Sequence, residues 1–302
     1  MQKKIRTITV NQFDYLVRNV NDEQPELLGH LNHFQEFDVN GHPVKDSKYN
    51  RNGELEERYE FTYNEAGQLA SETYFQEEDE AAEKKTFIYN NAGKLEMLLK
   101  HYLDGSVDTT NYSYNESGQL ISTVRQDDEG ETELVERFTW TDGKMTLEET
   151  FDGQENPLTR RSMNYNTEGN ITELVSWNAE EDTEIRTVNE FDETGQLSSV
   201  KRFDSDGDLM DAHIFQLDEE GNRISFTENT YGPKVQTQIV YNGKGKPVKE
   251  EEVTEEGDVL TRVERKYDEE DRELETEVFI DGQGQTITRH YFLKYDYTFF
   301  EE

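Results

Sequence analysis

The chain has 302 residues, of which 68 are acidic and 31 basic, giving a formal net charge of −37; apolar residues make up 32% and cysteine is absent. These figures exclude a disulfide framework, thiol chemistry and any Cys-ligated metal. They also exclude a membrane-spanning helix, which needs about 18 consecutive apolar residues, and association with nucleic acid or anionic lipid, which this charge repels. An aromatic content of 11% argues against a disordered chain.

The first six residues, Met1 to Arg6, are basic, but no apolar stretch follows them. That pattern predicts no secretory leader and a cytoplasmic location; a leader already removed would instead place the protein at the cell surface. Phe13, Leu16, Val17 and Val20 then fall at i, i+3, i+4 and i+7, with Asn11 ahead of them as an N-cap. This spacing points to a short helix, and residues 1–30 are expected to form an N-terminal cap, a short helix or a strand. Repeat arrays need such caps to hide an open sheet edge.

Residues 31–290 read as an array. One motif recurs: an aromatic residue, Asn or Asp, two residues, Gly, one residue, then Leu or Ile. It appears as Tyr63-Asn-Glu-Ala-Gly67-Gln-Leu69, Tyr89-Asn-Asn-Ala-Gly93-Lys-Leu95 and Tyr114-Asn-Glu-Ser-Gly118-Gln-Leu120. Further copies begin at Phe37, Trp140, Tyr165, Phe191, Leu217, Tyr241 and Tyr267, so the period stays between 24 and 26 residues. A looser set of Asn/Asp-Gly turns falls midway between the copies, as at Asn52-Gly53, Asp104-Gly105 and Asp206-Gly207. Between turns, residues alternate with period two, as in Tyr59, Phe61 and Tyr63 against Arg58, Glu60 and Thr62. Period two predicts strands, and short turns between strands of about eight residues make neighbours antiparallel. The expected fold is therefore all-β: a long antiparallel meander of hairpin repeats in one strongly twisted, curved sheet, spiral or open-shell, with a flat single layer as the alternative. Residues 291–302, crowded with Tyr291, Phe292, Tyr295, Tyr297, Phe299 and Phe300, read as a closing strand.

The Tyr-Asn/Asp-x-x-Gly-x-Leu motif resembles the YD repeat of RHS proteins, best at positions 63/64/67, 89/90/93, 114/115/118, 165/166/169 and 191/192/195. The resemblance implies a β-hairpin ribbon and, by analogy with RHS systems, an immunity or chaperone-like role toward a bacterial effector. The unit here is longer than the usual YD repeat, and the residue after Gly is mostly Gln, Lys or Asn.

Alternate turns of a meander lie at opposite ends of its strands, so the turns sort into two edges. Nine Tyr-Asn-type windows between residues 63 and 274 hold 14 acidic and 6 basic residues. The nine midway windows between 76 and 286 hold 27 acidic residues and no Lys or Arg. Such an edge either keeps sheets apart by repulsion or docks a cationic protein or Ca²⁺.

Asp204, Asp206 and Asp208 place carboxylates at alternate positions of one turn and are the candidate Ca²⁺ ligands. Position twelve counted from Asp204 is Phe215, which excludes an EF-hand loop. The six histidines lack metalloprotease spacing, Gly243-Lys-Gly245-Lys lacks the phosphate-loop spacing, and no nucleophile elbow is present. No enzyme activity and no cofactor is expected. Trp140, which substitutes for a repeat Tyr, reads as a packed position, and Trp177 begins an acidic turn. The expected function is a non-enzymatic scaffold that binds a basic or effector-like protein through the acidic turn edge or a concave aromatic face. It binds neither nucleic acid nor membrane. The alternative is an exported adhesin or carbohydrate-binding repeat protein.

Overall fold

The computed structural model describes residues 3–16, 26–76, 80–217, 223–229, 234–282 and 288–301. The strands, in chain order, are β1 Ile5–Leu16, β2 Glu26–Phe37, β3 Pro43–Tyr49, β4 Leu55–Tyr63, β5 Leu69–Phe75, β6 Ala81–Tyr89, β7 Leu95–Tyr102, β8 Val107–Tyr114, β9 Leu120–Gln126, β10 Thr132–Thr141 and β11 Lys144–Asp152. They continue with β12 Pro157–Tyr165, β13 Ile171–Asn178, β14 Thr183–Phe191, β15 Leu197–Phe203, β16 Leu209–Leu217, β17 Arg223–Asn229, β18 Val235–Tyr241, β19 Pro247–Thr254, β20 Val259–Tyr267, β21 Glu273–Ile280 and β22 Arg289–Phe299. The fold is an all-β antiparallel meander, and no helix occurs among the described residues.

Tertiary contacts divide the chain into two units. One comprises Met1–Glu83, Leu217–Ile224 and Val235–Glu302; the other comprises Lys84–Gln216 and Ser225–Lys234. In the second unit, β7 to β16 pair strictly in sequence order. The first unit is assembled from both ends of the chain. Its β18 to β22 pair in order, β22 continues onto β1, and β1 continues through β2, β3 and β4 to β5.

Of the two forms expected for the N-terminal segment, helix or strand, residues Ile5–Leu16 take the strand. Phe13 sits in β1, facing Phe292 of β22 and Gly29 of β2. Helical spacing at four positions is outweighed by two flanking strands, because each adds a full ladder of backbone hydrogen bonds. Val17 and Val20 of that pattern lie outside the described residues. Phe13 and Phe292 stack with centroids 4.8 Å apart. A Cβ on Gly29 would lie 2.6 Å from the Phe13 ring, so only glycine lets the ring cover the backbone there.

Burial is shallow on both faces. In β5, β11, β13 and β19 every residue is half-buried. Among the described residues, only Val10, Met163 and Ala212 are fully buried apolar side chains. The low apolar fraction follows from this: side chains are shielded by neighbours in the same row, and cross-strand pairs carry the stabilisation. Many of those pairs are ionic, such as Lys201–Glu190 at 2.8 Å and Arg161–Glu148 at 3.1 Å.

Candidate functional site

Both turn edges are built with one device, seen at Asn64. The Asn64 amide donates to the Gln68 carbonyl, and the Gly67 amide donates to the Asn64 carbonyl, each at 2.9 Å. Asn64 Oδ1 accepts the Ala66 and Gln68 amides, both at 3.0 Å. Gly67 takes φ of 77°, a conformation costly for residues with a Cβ. The same double acceptance recurs at Asn90, Asp192, Asn242 and Asp268 on one edge. On the other it recurs at Asn50, Asp127, Asp152 and Asp204. One side-chain oxygen suffices, which is why Asn and Asp alternate freely at this position.

The repeat aromatics knit one unit to the next. Tyr63 donates its hydroxyl to the Pro43 carbonyl at 2.7 Å, Tyr114 to Leu95 at 2.8 Å, Tyr165 to Met145 at 2.6 Å and Tyr267 to Pro247 at 2.9 Å. Trp140 does the same with its indole N–H, reaching Leu120 at 2.7 Å. The acceptor is the first strand residue after the preceding turn of that edge at Pro43, Leu95, Leu120 and Pro247, and the second at Met145. Phe191 has no hydroxyl, and there the Asn189 amide donates to the equivalent Ile171 carbonyl at 2.9 Å. The residue after the turn glycine covers the next ring: His42 stacks on Tyr63 at 4.5 Å, and the ammonium groups of Lys94 and Lys144 lie 5.0 and 5.2 Å from the Tyr114 and Tyr165 centroids. The ring side chains of the regular edge, with His42, Lys94 and Lys144 after the turn glycine, are thus committed to holding the array together, while Glu65, Glu116, Glu193 and Glu269 of its turns are exposed.

The acidic edge is committed far less. Asn50, Asp127, Asp152, Asn178 and Asp204 serve the backbone of their turns, as the Thr254 hydroxyl does in its own, but Asp128, Glu129, Glu180, Glu181, Asp206, Asp208, Glu255 and Glu256 are exposed. Beneath these turns runs a second aromatic column that the sequence reading did not find. Phe75, Phe151, Phe203 and Phe279, each the last or next-to-last residue of its strand, lie under the guanidinium groups of Arg58, Arg137, Arg186 and Arg262, at 4.0, 4.6, 5.4 and 5.7 Å from the ring centroids. Trp177 belongs to the same column, opposite Arg160 in the register. Phe151, Trp177 and Phe203 are 26 residues apart, so the signal was present in the period but off the Tyr-Asn motif. Arg137 also reaches into the turn itself, pairing with Glu155 at 2.7 Å.

Asp204, Asp206 and Asp208 lie together in the β15–β16 turn. Asp204 Oδ1 accepts the Asp206 and Asp208 amides at 3.0 and 2.9 Å, so that oxygen holds the hairpin. Among the described residues, no group of three or more His, Asp or Glu side chains is arranged to hold a metal ion. Histidines pair singly with carboxylates: His33 with Asp46 at 2.6 Å, His42 with Asp38 at 3.1 Å and His290 with Glu277 at 2.7 Å. His30 is buried near Asp14, 3.9 Å away, and its Nδ1 makes no hydrogen bond.

Turn geometry sets the acidity of these groups. Desolvation pushes the Asp38 carboxyl up, but the His42 amide, the His42 ring and the Asn40 amide together bring it down to about 2. Hydrogen bonds from the Ser106, Asn156 and Thr194 side chains hold Asp104, Asp152 and Asp192 below the usual carboxylate range. Burial, with the Glu273 charge nearby, raises Tyr295 to about 12. None of these groups is a carboxylate raised toward neutrality, the signature of a general acid.

No protein-family model and no curated protein sequence matches this chain. Among solved structures, the chain is similar to a porin-like protein from Bacteroides uniformis, at 10% identity over 98% of this chain and 99% of that one, with a TM-score of 0.35. A porin-like protein from Bacteroides vulgatus matches at 11% identity over the same shares, with a TM-score of 0.22. TcdB2-TccC3 without its hypervariable C-terminal region matches at 9% identity over 90% of this chain and 19% of that one, with a TM-score of 0.24.

Proposed function

We propose that this protein is a non-enzymatic repeat scaffold whose acidic turn edge binds the cationic surface of a protein partner. The observation that carries the reading is the division of labour between the edges. The Tyr-Asn edge spends its ring side chains on internal hydrogen bonds and stacking and mixes a few exposed carboxylates, such as Glu65, Glu116 and Glu193, with lysines, whereas the turn windows of the opposite edge present 27 acidic residues and no Lys or Arg. A line of carboxylates about 10 Å apart, two strand spacings, attracts a basic surface and sets register on it. The resemblance of the YD-like motif, at the positions quoted above, supports an effector as the partner class and an immunity or chaperone-like role in the bacterial cytoplasm as the context.

Insertion into a membrane is disfavoured by charges at mid-strand on both faces. Lys249, Glu264 and Glu277 share one row, and Arg265 lies in a row on the opposite face with Thr276, Leu293 and Gln12. A Lys or Arg facing lipid costs about 2–4 kcal/mol at the bilayer centre, and a Glu less. The alternative, an exported carbohydrate-binding array, needs open aromatic platforms. It is the weaker reading, because the repeat rings hydrogen-bond to backbone or lie beneath cations.

The test is affinity capture from the native host with the wild type and a turn-reversed variant, Asp128→Lys, Glu129→Lys, Glu180→Lys and Glu181→Lys. These four side chains are exposed, and the one bond among them is Glu181 accepting the Thr183 hydroxyl at 3.3 Å, which the backbone bonds of that turn do not need. A specific partner is expected on the wild type, released steeply by salt and lost from the variant. Equal capture by both proteins refutes the acidic-edge reading.

A further inference from the structure

We propose that the β1–β22 junction is the seam at which the first unit opens, and that the opened edge takes the terminal strand of a second copy of this chain. The argument is topological. Every other described pair of neighbouring strands is consecutive in sequence, whereas β1 and β22 lie at opposite ends of the chain. Separating any consecutive pair strains the turn between them. Separating β1 from β22 breaks a ladder and leaves every hairpin whole.

The seam is also specific. Its register runs from Thr7 opposite Thr298 to Asp14 opposite Tyr291. The Thr7 and Thr298 hydroxyls meet at 2.6 Å, Phe13 stacks on Phe292, and the Lys294 ammonium lies 5.3 and 5.2 Å from those two rings. A register shift between Ile5 and Thr7 pins the pairing at one end. An opened β1 edge is therefore complementary to one sequence, that of β22, and a second copy carries it. Charge does not stand in the way locally. Thr7, Thr9, Asn11 and Phe13 face Thr298, Asp296, Lys294 and Phe292 on one side of the ladder, a balance of one anion and one cation in a protein of net charge −37. Exchange of terminal strands is a low-cost route to a dimer, because each new contact copies one already present in the monomer.

The experiment uses the full chain. Because no native cysteine exists, a Thr7→Cys/Thr298→Cys variant carries one thiol pair, placed where two side chains already meet. Two tagged forms are warmed together below their melting temperature and analysed by native mass spectrometry. Mixed dimers are expected from the wild type and from the reduced variant, and their loss is expected on oxidation. Phe292→Ala, which removes the seam stack from monomer and exchanged dimer alike while leaving the backbone ladder, is expected to speed the appearance of mixed dimers without raising their final yield. Equal dimer in the oxidised and reduced variant overturns the proposal. So does a wild type that stays monomeric while its seam amides exchange with solvent no faster than those of β12 and β13. Uptake of a free β22 peptide without any mixed dimer overturns the second copy as partner.

Discussion

The bond from Asn189 to the Ile171 carbonyl offers a sharp test of the repeat logic. Elsewhere that carbonyl position is served by the hydroxyl of a repeat tyrosine or the indole of Trp140; at Phe191 it is served by an asparagine two residues earlier on the same face. Replacing Asn189 by Val removes the donor and leaves a half-buried carbonyl without its side-chain partner. The net loss of one such bond is about 1 kcal/mol, offset by a few tenths from the better strand propensity of Val. Phe191→Tyr alone is expected to be near neutral, because the acceptor is already engaged. In the double variant Asn189→Val/Phe191→Tyr, the new hydroxyl falls on Ile171 as Tyr165 falls on Met145, and most of the loss is expected to return. Native-state amide exchange of β13 and β14 reads the effect locally, and a melting shift of about 2 °C reads it globally. A double variant no more stable than Asn189→Val refutes the claim that the repeat aromatic is selected for its polar tip.

Other expectations are independent of that one. Gly153→Ala is expected to destabilise strongly, by about 2 kcal/mol or more, because its Cβ would fall on the Thr132 carbonyl oxygen; urea denaturation measures this, and a neutral result refutes the close approach. Glu155, with φ of 63°, stands where other turns carry glycine, so Glu155→Gly is expected to match or exceed wild-type stability, by at most about 1 kcal/mol, in the same assay. Tyr295 titrates higher in the folded state than the ordinary 10.0, so its contribution is complete below pH 10 and is lost as pH rises toward 12. Tyr295→Phe should flatten a melting-temperature profile over that interval. Asp38 is shifted the other way, so its contribution holds above its ordinary 3.8 and is lost as pH falls toward 2; Asp38→Asn should blunt the acid limb of the same profile.

How far the fold is legible in the sequence depends on how local the determining interaction is. The turns are legible because Asn64 and Gly67 act within five residues, and the strands because side-chain alternation is intrinsic to the pleat. The N-terminal strand is not, because its form is set by β22, some 280 residues away, and local spacing around Phe13 mimics a helix. Gly153 misleads for a related reason. It looks like the turn glycine, yet Glu155 takes the positive φ, and Gly153 is small because a neighbouring turn's carbonyl presses on it. The second aromatic column escaped because its partner is an arginine across the strand rather than a motif along it. Of the candidate site, the segregation of charge is readable from composition, but the consumption of Asp204 by its own turn requires the hydrogen-bond pattern.

The indifference of the turns to Asn or Asp has a consequence for how such a chain varies. Each opening position asks for one acceptor oxygen and is blind to the formal charge that comes with it. Asn64 and Asp192 do the same structural work while differing by one unit of charge. Exchanging the two residue types along an edge would redraw the electrostatic surface step by step while leaving register, strand length and ring stacking alone. In this architecture the frame and its surface potential are separate variables.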